Sequence, residues 1–467
     1  MHALGERSAR RSARRATALV GGLALLVTAC GGGDGGGPAG GAEAAADQES
    51  TNDAGNDTGD GGEDGGEGGE GGEQVTLRFS WWGSDARHED TQEVIDRFEA
   101  KYPHITVEGE FTGWGDYWDR LATTVAGGDA PDIIQHESRY LREYADRGAL
   151  LDLNEVADTL DLSELDPLVA DSGTVEGAVY GVPTGINAYT LFADPQAFEE
   201  AGVEMPDDTS WTWEDFVGLA AQISANSDYY GAQDKGYNET DLQIFARQRG
   251  EDMYTEDGQL GFSEQTAADW WQLGLEMQET AGTPNASITT EVQAGGVDQS
   301  LIATNRGAMA FFWTNELGAL TDTSGRDLEL LRYPGESQHE QPGMFFKPAM
   351  FYSVASTTAH PEEAALFLDF LLNDEQAADV IKSDRGLPAN TRIREHVLAD
   401  LSDAEQQAAD FLAEIEDELA TPPPVPPVGA GEIVSIVQRI NEEVLFGRLS
   451  PDEAAARFLQ EANAAIG

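Results

Sequence analysis

The chain has 467 residues, one cysteine and a formal charge of −59, set by 86 carboxylates against 27 lysines and arginines. That imbalance excludes the basic footprint that nucleic acid or an anionic membrane surface requires. The length also exceeds what one hydrophobic core supports, so more than one folded lobe is expected.

Residues 1–29 open with Arg7, Arg10, Arg11, Arg14 and Arg15 and continue as an Ala/Leu/Val/Gly run too short to span a bilayer. This is the pattern of an export signal. Val27, Thr28 and Ala29 lead into Cys30 and resemble the lipobox of bacterial lipoproteins. That resemblance implies an acylated Cys30 as the membrane anchor. Residues 30–74 follow as a tether: positions 31–74 hold twelve acidic residues, no lysine or arginine and no aromatic. Such a composition buries too little apolar area to fold, and as a Gly-rich coil it spans about 35 Å.

Five arginines and one glutamate leave +4 in residues 1–30, the tether carries −12, and the body from 75 to 467 therefore carries −51. Val75–Trp82 reads as a strand, and the segment from Glu89 to Tyr102 sets Val94, Ile95, Phe98 and Tyr102 on one helical face. Ile105–Phe111 alternates like a half-buried strand, Tyr117–Val125 is helical, and Pro131–Gln135 is a short buried strand. This alternation predicts an α/β lobe with a mostly parallel sheet. Further helices are expected over Glu362–Leu372, Asp403–Leu419 and Ile433–Leu445, with the Pro-rich Thr421–Pro427 as a stiff crossing.

Catalytic signatures are missing: there is no HExxH, GxSxG or P-loop, and the seven histidines are scattered. No cofactor and no metal site is expected. Aromatic residues at strand ends are the feature that stands out. Trp81 and Trp82 close the first strand before Gly83, Ser84 and Asp85, and Trp313 with Asn315 and Glu316 follows the apolar run from Ala308 to Phe312. In open α/β sheets ligands bind beyond the carboxyl ends of strands. An indole face beside amide and carboxylate groups suits a sugar, whose C–H face stacks while its hydroxyls pair with the polar groups. Trp118, Trp211, Trp213, Trp270 and Trp271 lie in helix-like surroundings and are expected in the core.

The body resembles the extracellular solute-binding proteins of bacterial carbohydrate ABC importers, the family that includes maltodextrin-binding proteins. The resemblance is carried by WWGSDARHEDTQEVIDRFEAKYPHITV, AGGDAPDIIQ, EGAVYGVPTGINAYTLFAD, TSWTWEDF, NRGAMAFFWTNELGAL and SVASTTAHPEEAALFLDFLLNDE with RGLPAN behind it, in that order. It implies a two-lobed periplasmic-binding-protein-like α/β fold of type II with the ligand in the cleft between lobes. One lobe would comprise 75–187 plus 350–420 and the other 188–349 plus 421–467, with crossings near Asn187, Met350 and Ala420. It also implies ligand contacts at Trp82, Ser84, Asp85, Gln135, His136, Glu137, Asn187, Trp313 and Asn315. Other members carry Trp or Asp where His136 and Glu137 fall, and Asn187 replaces an acid of the maltodextrin binders. The implied protein is a monomeric, non-enzymatic receptor for a mono- or oligosaccharide. It is held on the outer face of the cell membrane through Cys30 and delivers its sugar to ABC permease subunits. A secreted polysaccharide-active, glycosidase-like enzyme is the alternative.

A body charge of −51 repels itself, and salt screens that repulsion. Thermal melts are expected to show a higher midpoint in molar NaCl than at low ionic strength; equal midpoints would overturn the expectation.

Overall fold

β1 (Val75–Trp82) is the strand around which the first sheet is laid. It pairs in parallel with β2 (Ile105–Thr112), from Val75 opposite Ile105 to Trp82 opposite Thr112, and with β3 (Ile133–His136) through Phe79 opposite Ile133. The strand Phe351–Val354 then joins β3 antiparallel, and Val182–Pro183 completes the five-stranded sheet. The computed structural model describes residues 74–338, 341–419 and 422–467. The export signal, Cys30, the tether and the crossing near Ala420 lie outside these residues.

Alternation along β1 sends Leu77, Phe79 and Trp81 to one face, where none has accessible surface. They meet Val94, Ile95 and Phe98 of α1 (Asp85–Lys101), and Phe79 also packs edge-on against Phe367 of the helix Pro361–Asn373 at 5.6 Å. Each such buried side chain contributes about 1.5 to 3 kcal/mol of transfer free energy. A Cβ on Gly109 of β2 would sit 2.6 Å from the Trp81 ring, so the indole needs that glycine beside it. On the opposite face Tyr117 and Leu121 of α2 (Trp114–Ala126) pack with Leu141 and Tyr144 of α3 (Ser138–Asp146).

A second group of elements is built on an antiparallel three-stranded sheet, with Tyr189–Ala193 between Glu329–Leu331 and Met309–Trp313. The helices Trp213–Asn226, Glu239–Arg247, Glu264–Glu279, Ile433–Leu445 and Pro451–Ile466 accompany it. Trp211, Trp213, Trp270 and Trp271 are buried there, as their helical surroundings predict.

Between the two groups runs a small sheet in which Gly185–Asn187 lies between Lys347–Pro348 and Leu387–Pro388. The crossings expected near Asn187 and Met350 fall at or beside its strands. A Cβ on Gly185 would lie 2.4 Å from the Arg385 carbonyl, so the crossing strands approach more closely than any side chain permits.

One placement differs from the expected boundaries. The helix Asp403–Ile415 falls within the 350–420 expected in the first lobe, yet it packs against the helix Leu317–Ser324 of the second group. Gln407 donates to the Leu328 carbonyl at 2.8 Å, and the buried Arg332 guanidinium is shared by Asp208, Glu414 and Glu418 at 3.3, 3.0 and 2.8 Å. The chain has therefore changed groups before Asp403. Composition gave no sign of this, because the connection from 398 to 402 lacks the Pro-rich character of 421–427.

Candidate functional site

The carboxyl end of β1 presents three of the expected contact residues in different ways. Trp82 is 8% exposed and is enclosed by Trp114, Tyr117 and Trp118 at 5.0, 5.2 and 5.5 Å, so it is largely a packing residue. Ser84 is the N-cap of α1, its hydroxyl accepting the Arg87 N–H at 3.3 Å. Asp85 is the first residue of α1 and is exposed, where the helix dipole favours its charge. Trp114, 43% exposed, is the outward-facing indole of this cluster.

At the end of β3 the strand's alternation turns neighbours in opposite directions. Gln135 is fully buried: its amide donates to the Trp82 carbonyl at 3.1 Å and accepts from Arg385 at 3.1 Å. Both ends are spent inside the protein, so Gln135 positions the strand instead of meeting a ligand. His136 is also fully buried, edge-on to Trp118 and Tyr144, and burial pushes its pKa down to about 4. Its Nε2 has no hydrogen-bond partner among the described residues. Glu137 caps α3 by accepting the Arg139 N–H at 2.8 Å and pairs with Lys347 Nζ at 2.8 Å. Burial opposes its charge, but Lys347 and Arg139 outweigh it and hold the carboxyl at about 2.

Lys347 lies in the crossing sheet opposite Asn187, and its ammonium also sits 5.2 Å from the centre of the Trp313 ring. One cation thus joins Glu137 of the first group to Trp313 at the end of the second group's sheet. A second ion pair makes the same span: Arg139 of α3 donates through Nε and Nη2 to Glu239, the first residue of the helix Glu239–Arg247, at 3.0 and 2.7 Å.

Trp313 opens on a cavity of about 260 Å³ lined also by Tyr189, Lys235, Asn238, Gln293 and Glu316. Lys235 is buried beneath it, 3.2 Å from Asp241 and 4.0 Å from the centre of the Trp270 ring. Asn187 and Asn315 do not share this cavity. They line another of about 460 Å³, together with Arg87, Asp384 and the helix Asp403–Ile415. The turn after Trp313 explains the split: Trp313 and Glu316 face one side, Thr314 and Asn315 the other. The smaller cavity has the features of a ligand site, an aromatic wall beside amide and carboxylate groups, next to both ion pairs that span the groups.

Of the nine residues expected from the sequence, the structure brings Glu137 and Trp313 together through Lys347 and leaves Asp85 exposed at a helix start. Sequence reasoning missed Lys347, Arg139, Glu239 and Tyr189. Lys347 carried a usable signal, being one of four lysines in a chain of 86 carboxylates; such a rare cation must be placed where a carboxylate needs it.

Residues 85–378 match the sequence profile of the bacterial extracellular solute-binding proteins. An uncharacterized lipoprotein of Streptomyces antibioticus is 30% identical over 158 residues, 33% of this chain and 35% of that protein. The lactose-binding protein of Rhizobium radiobacter is 27% identical over 183 residues, 37% of this chain and 41% of that protein. The alignments thus span less than half the length of each of these relatives. Among solved structures, a family 1 extracellular solute-binding protein of Alicyclobacillus acidocaldarius superposes with a TM-score of 0.69 at 28% identity, covering 85% of this chain and 99% of that one. The periplasmic-binding-protein-like α/β fold expected from the sequence is the fold observed.

His136 makes a pH dependence testable. Its folded pKa of about 4 lies below the ordinary 6.5, so the unfolded chain binds its proton more readily. The contribution of His136 is fully present above pH 6.5 and is lost as the pH falls toward 4, amounting to about 3 kcal/mol. Urea titrations at pH 7.5 and pH 4.5 should show His136→Gln losing less stability between the two than the unsubstituted protein; equal losses would contradict the assignment.

Proposed function

The chain belongs to the bacterial extracellular solute-binding proteins, and we propose that it captures a saccharide in the cleft beside Trp313 and delivers it to the permease of an ABC importer. The family is one of binding proteins, not of catalysts, which displaces the polysaccharide-active enzyme as a reading. The observation that carries the proposal is Trp313 itself. Its indole stands at the end of the second sheet, walls a cavity with Tyr189, Asn238, Gln293 and Glu316, and is joined by Lys347 to Glu137 of the other group. A pyranose stacked on that indole would turn its hydroxyls toward amide and carboxylate acceptors. The name of the Rhizobium radiobacter relative, a lactose-binding protein, supports a saccharide as the solute.

The two groups are read as lobes that close on the ligand by bending at the crossing sheet of Gly185–Asn187, Lys347–Pro348 and Leu387–Pro388. Asp85, at the start of α1, and Asn187, in the crossing, are read as further hydroxyl partners in the closed form. Trp82, His136 and Asn315 are read as supports of the cleft. Cys30 is read as acylated, with residues 31–74 reaching from the outer face of the membrane to the receptor; the lipoprotein relative of Streptomyces antibioticus supports this.

Calorimetric titration against lactose, maltose and raffinose is expected to find a binding sugar, and Trp313→Ala to weaken it by about 1 to 3 kcal/mol at an unchanged melting point. Unchanged affinity with a lowered melting point would make Trp313 a core residue and misplace the site. Cys30→Ser should release the protein into the medium or leave it unprocessed. A processed, membrane-retained Cys30→Ser protein would refute the anchor.

A further inference from the structure

The charged groups around the Trp313 cavity are unequal in what they have left to give. Lys347 is committed to Glu137 at 2.8 Å, Arg139 to Glu239 through two nitrogens at 3.0 and 2.7 Å, and Lys235 to Asp241 at 3.2 Å. Each of these cations therefore already has its carboxylate. Asp234, also on the cavity wall, accepts the Gly236 N–H at 3.0 Å and the Asn441 amide at 2.8 Å, both on Oδ1.

Glu316 is the carboxylate that stands beside the Trp313 indole itself. Its Oε2 accepts the Trp313 N–H at 2.9 Å, and Oε1 has no hydrogen-bond partner among the described residues. The side chain lines the cavity beside the indole, one turn of chain beyond it. Among the described residues no cation forms an ion pair with it, and burial raises its carboxyl to about 7, so at pH 8 it is mostly ionised.

Resting on the saccharide reading above, we propose that Glu316 is a specificity-determining residue that makes this cleft a receptor for uncharged saccharides and turns away acidic ones. An ionised carboxylate only accepts hydrogen bonds, so Oε1 takes a hydroxyl of a sugar stacked on Trp313. A uronate or aldonate carboxylate in the same place meets Glu316 with a like charge and finds each neighbouring cation already paired. Placing like charges together is how a binding surface rejects a wrong partner. The body's −51 acts in the same direction at longer range.

The test is calorimetric titration of the full chain at pH 8 with neutral lactose, maltose and raffinose and with acidic lactobionate and digalacturonate, repeated with Glu316→Gln. The neutral sugar that binds best should exceed both acids by 100-fold or more. Glu316→Gln, which keeps an acceptor for the Trp313 N–H and so should melt as before, is expected to narrow that ratio by at least 10-fold. An acid that binds as well as the best neutral sugar would overturn this inference while leaving the saccharide reading intact, and so would a ratio unmoved by Glu316→Gln. Should none of the five sugars bind, the saccharide reading fails and this inference with it. The comparison on the unsubstituted protein decides the matter even where the variant does not fold.

Discussion

The Glu137–Lys347 ion pair, set against the Trp313 ring, is the contact on which the arrangement of the cleft depends. Glu137 ends the first sheet, Trp313 ends the second, and Lys347 sits in the small sheet through which the chain passes between them. A pair buried to this extent gains little net stability, because desolvation consumes most of the Coulomb energy. What it fixes is geometry. Removing Lys347 would leave Glu137 charged and buried, so the pair confines the two sheet ends to positions where both charges are satisfied.

Cations are scarce throughout this chain, and where they are spent shows what the fold must hold. Arg332 is shared among three carboxylates that tie the helix Asp403–Ile415 and the turn after it to the second group. Arg385 bridges Gln135, Thr91 and Asp384, locking β3 to α1 beside the crossing strands. Arg139 and Lys347 are spent on the cleft. With 86 carboxylates against 27 lysines and arginines, most carboxylates have no cation to pair with, and salt screens the repulsion among them. The same scarcity explains the chemistry of the cavity: with each nearby cation needed for structure, an anionic solute has none to pair with.

Much of the first sheet was legible in the sequence. Val75–Trp82 is a strand with the expected ends because its apolar alternation is uninterrupted and Gly83 follows it. Helices 361–373 and 433–445 likewise follow their apolar spacing. Strand ends therefore agree to within two residues, while the burial of the side chains there does not follow. Gln135 and His136 lie at a strand end as expected, yet both are fully buried. Asn315 is two residues from Trp313 but lines another cavity, because a short 3₁₀ turn over Thr314–Glu316 reverses the sides that plain alternation would give. Proximity in sequence carries the position of a loop, but the side to which each residue points is fixed only by the turn's backbone. Lys347 and Glu239, distant in sequence from the strands they serve, enter the cleft only through the tertiary fold.

In the proposed receptor the crossing sheet would be the joint of the cleft. Its strands are two or three residues long, and Gly185 has the Arg385 carbonyl where a Cβ would be. Short ladders bend at low cost, whereas the close backbone approach at Gly185 resists sliding of one strand past another. A joint of this kind permits rotation about the sheet and opposes translation. In the proposed receptor such a rotation would act on both ion pairs that join the groups, Arg139 with Glu239 and Glu137 with Lys347, because both reach from the start of α3 into the other group or the crossing sheet.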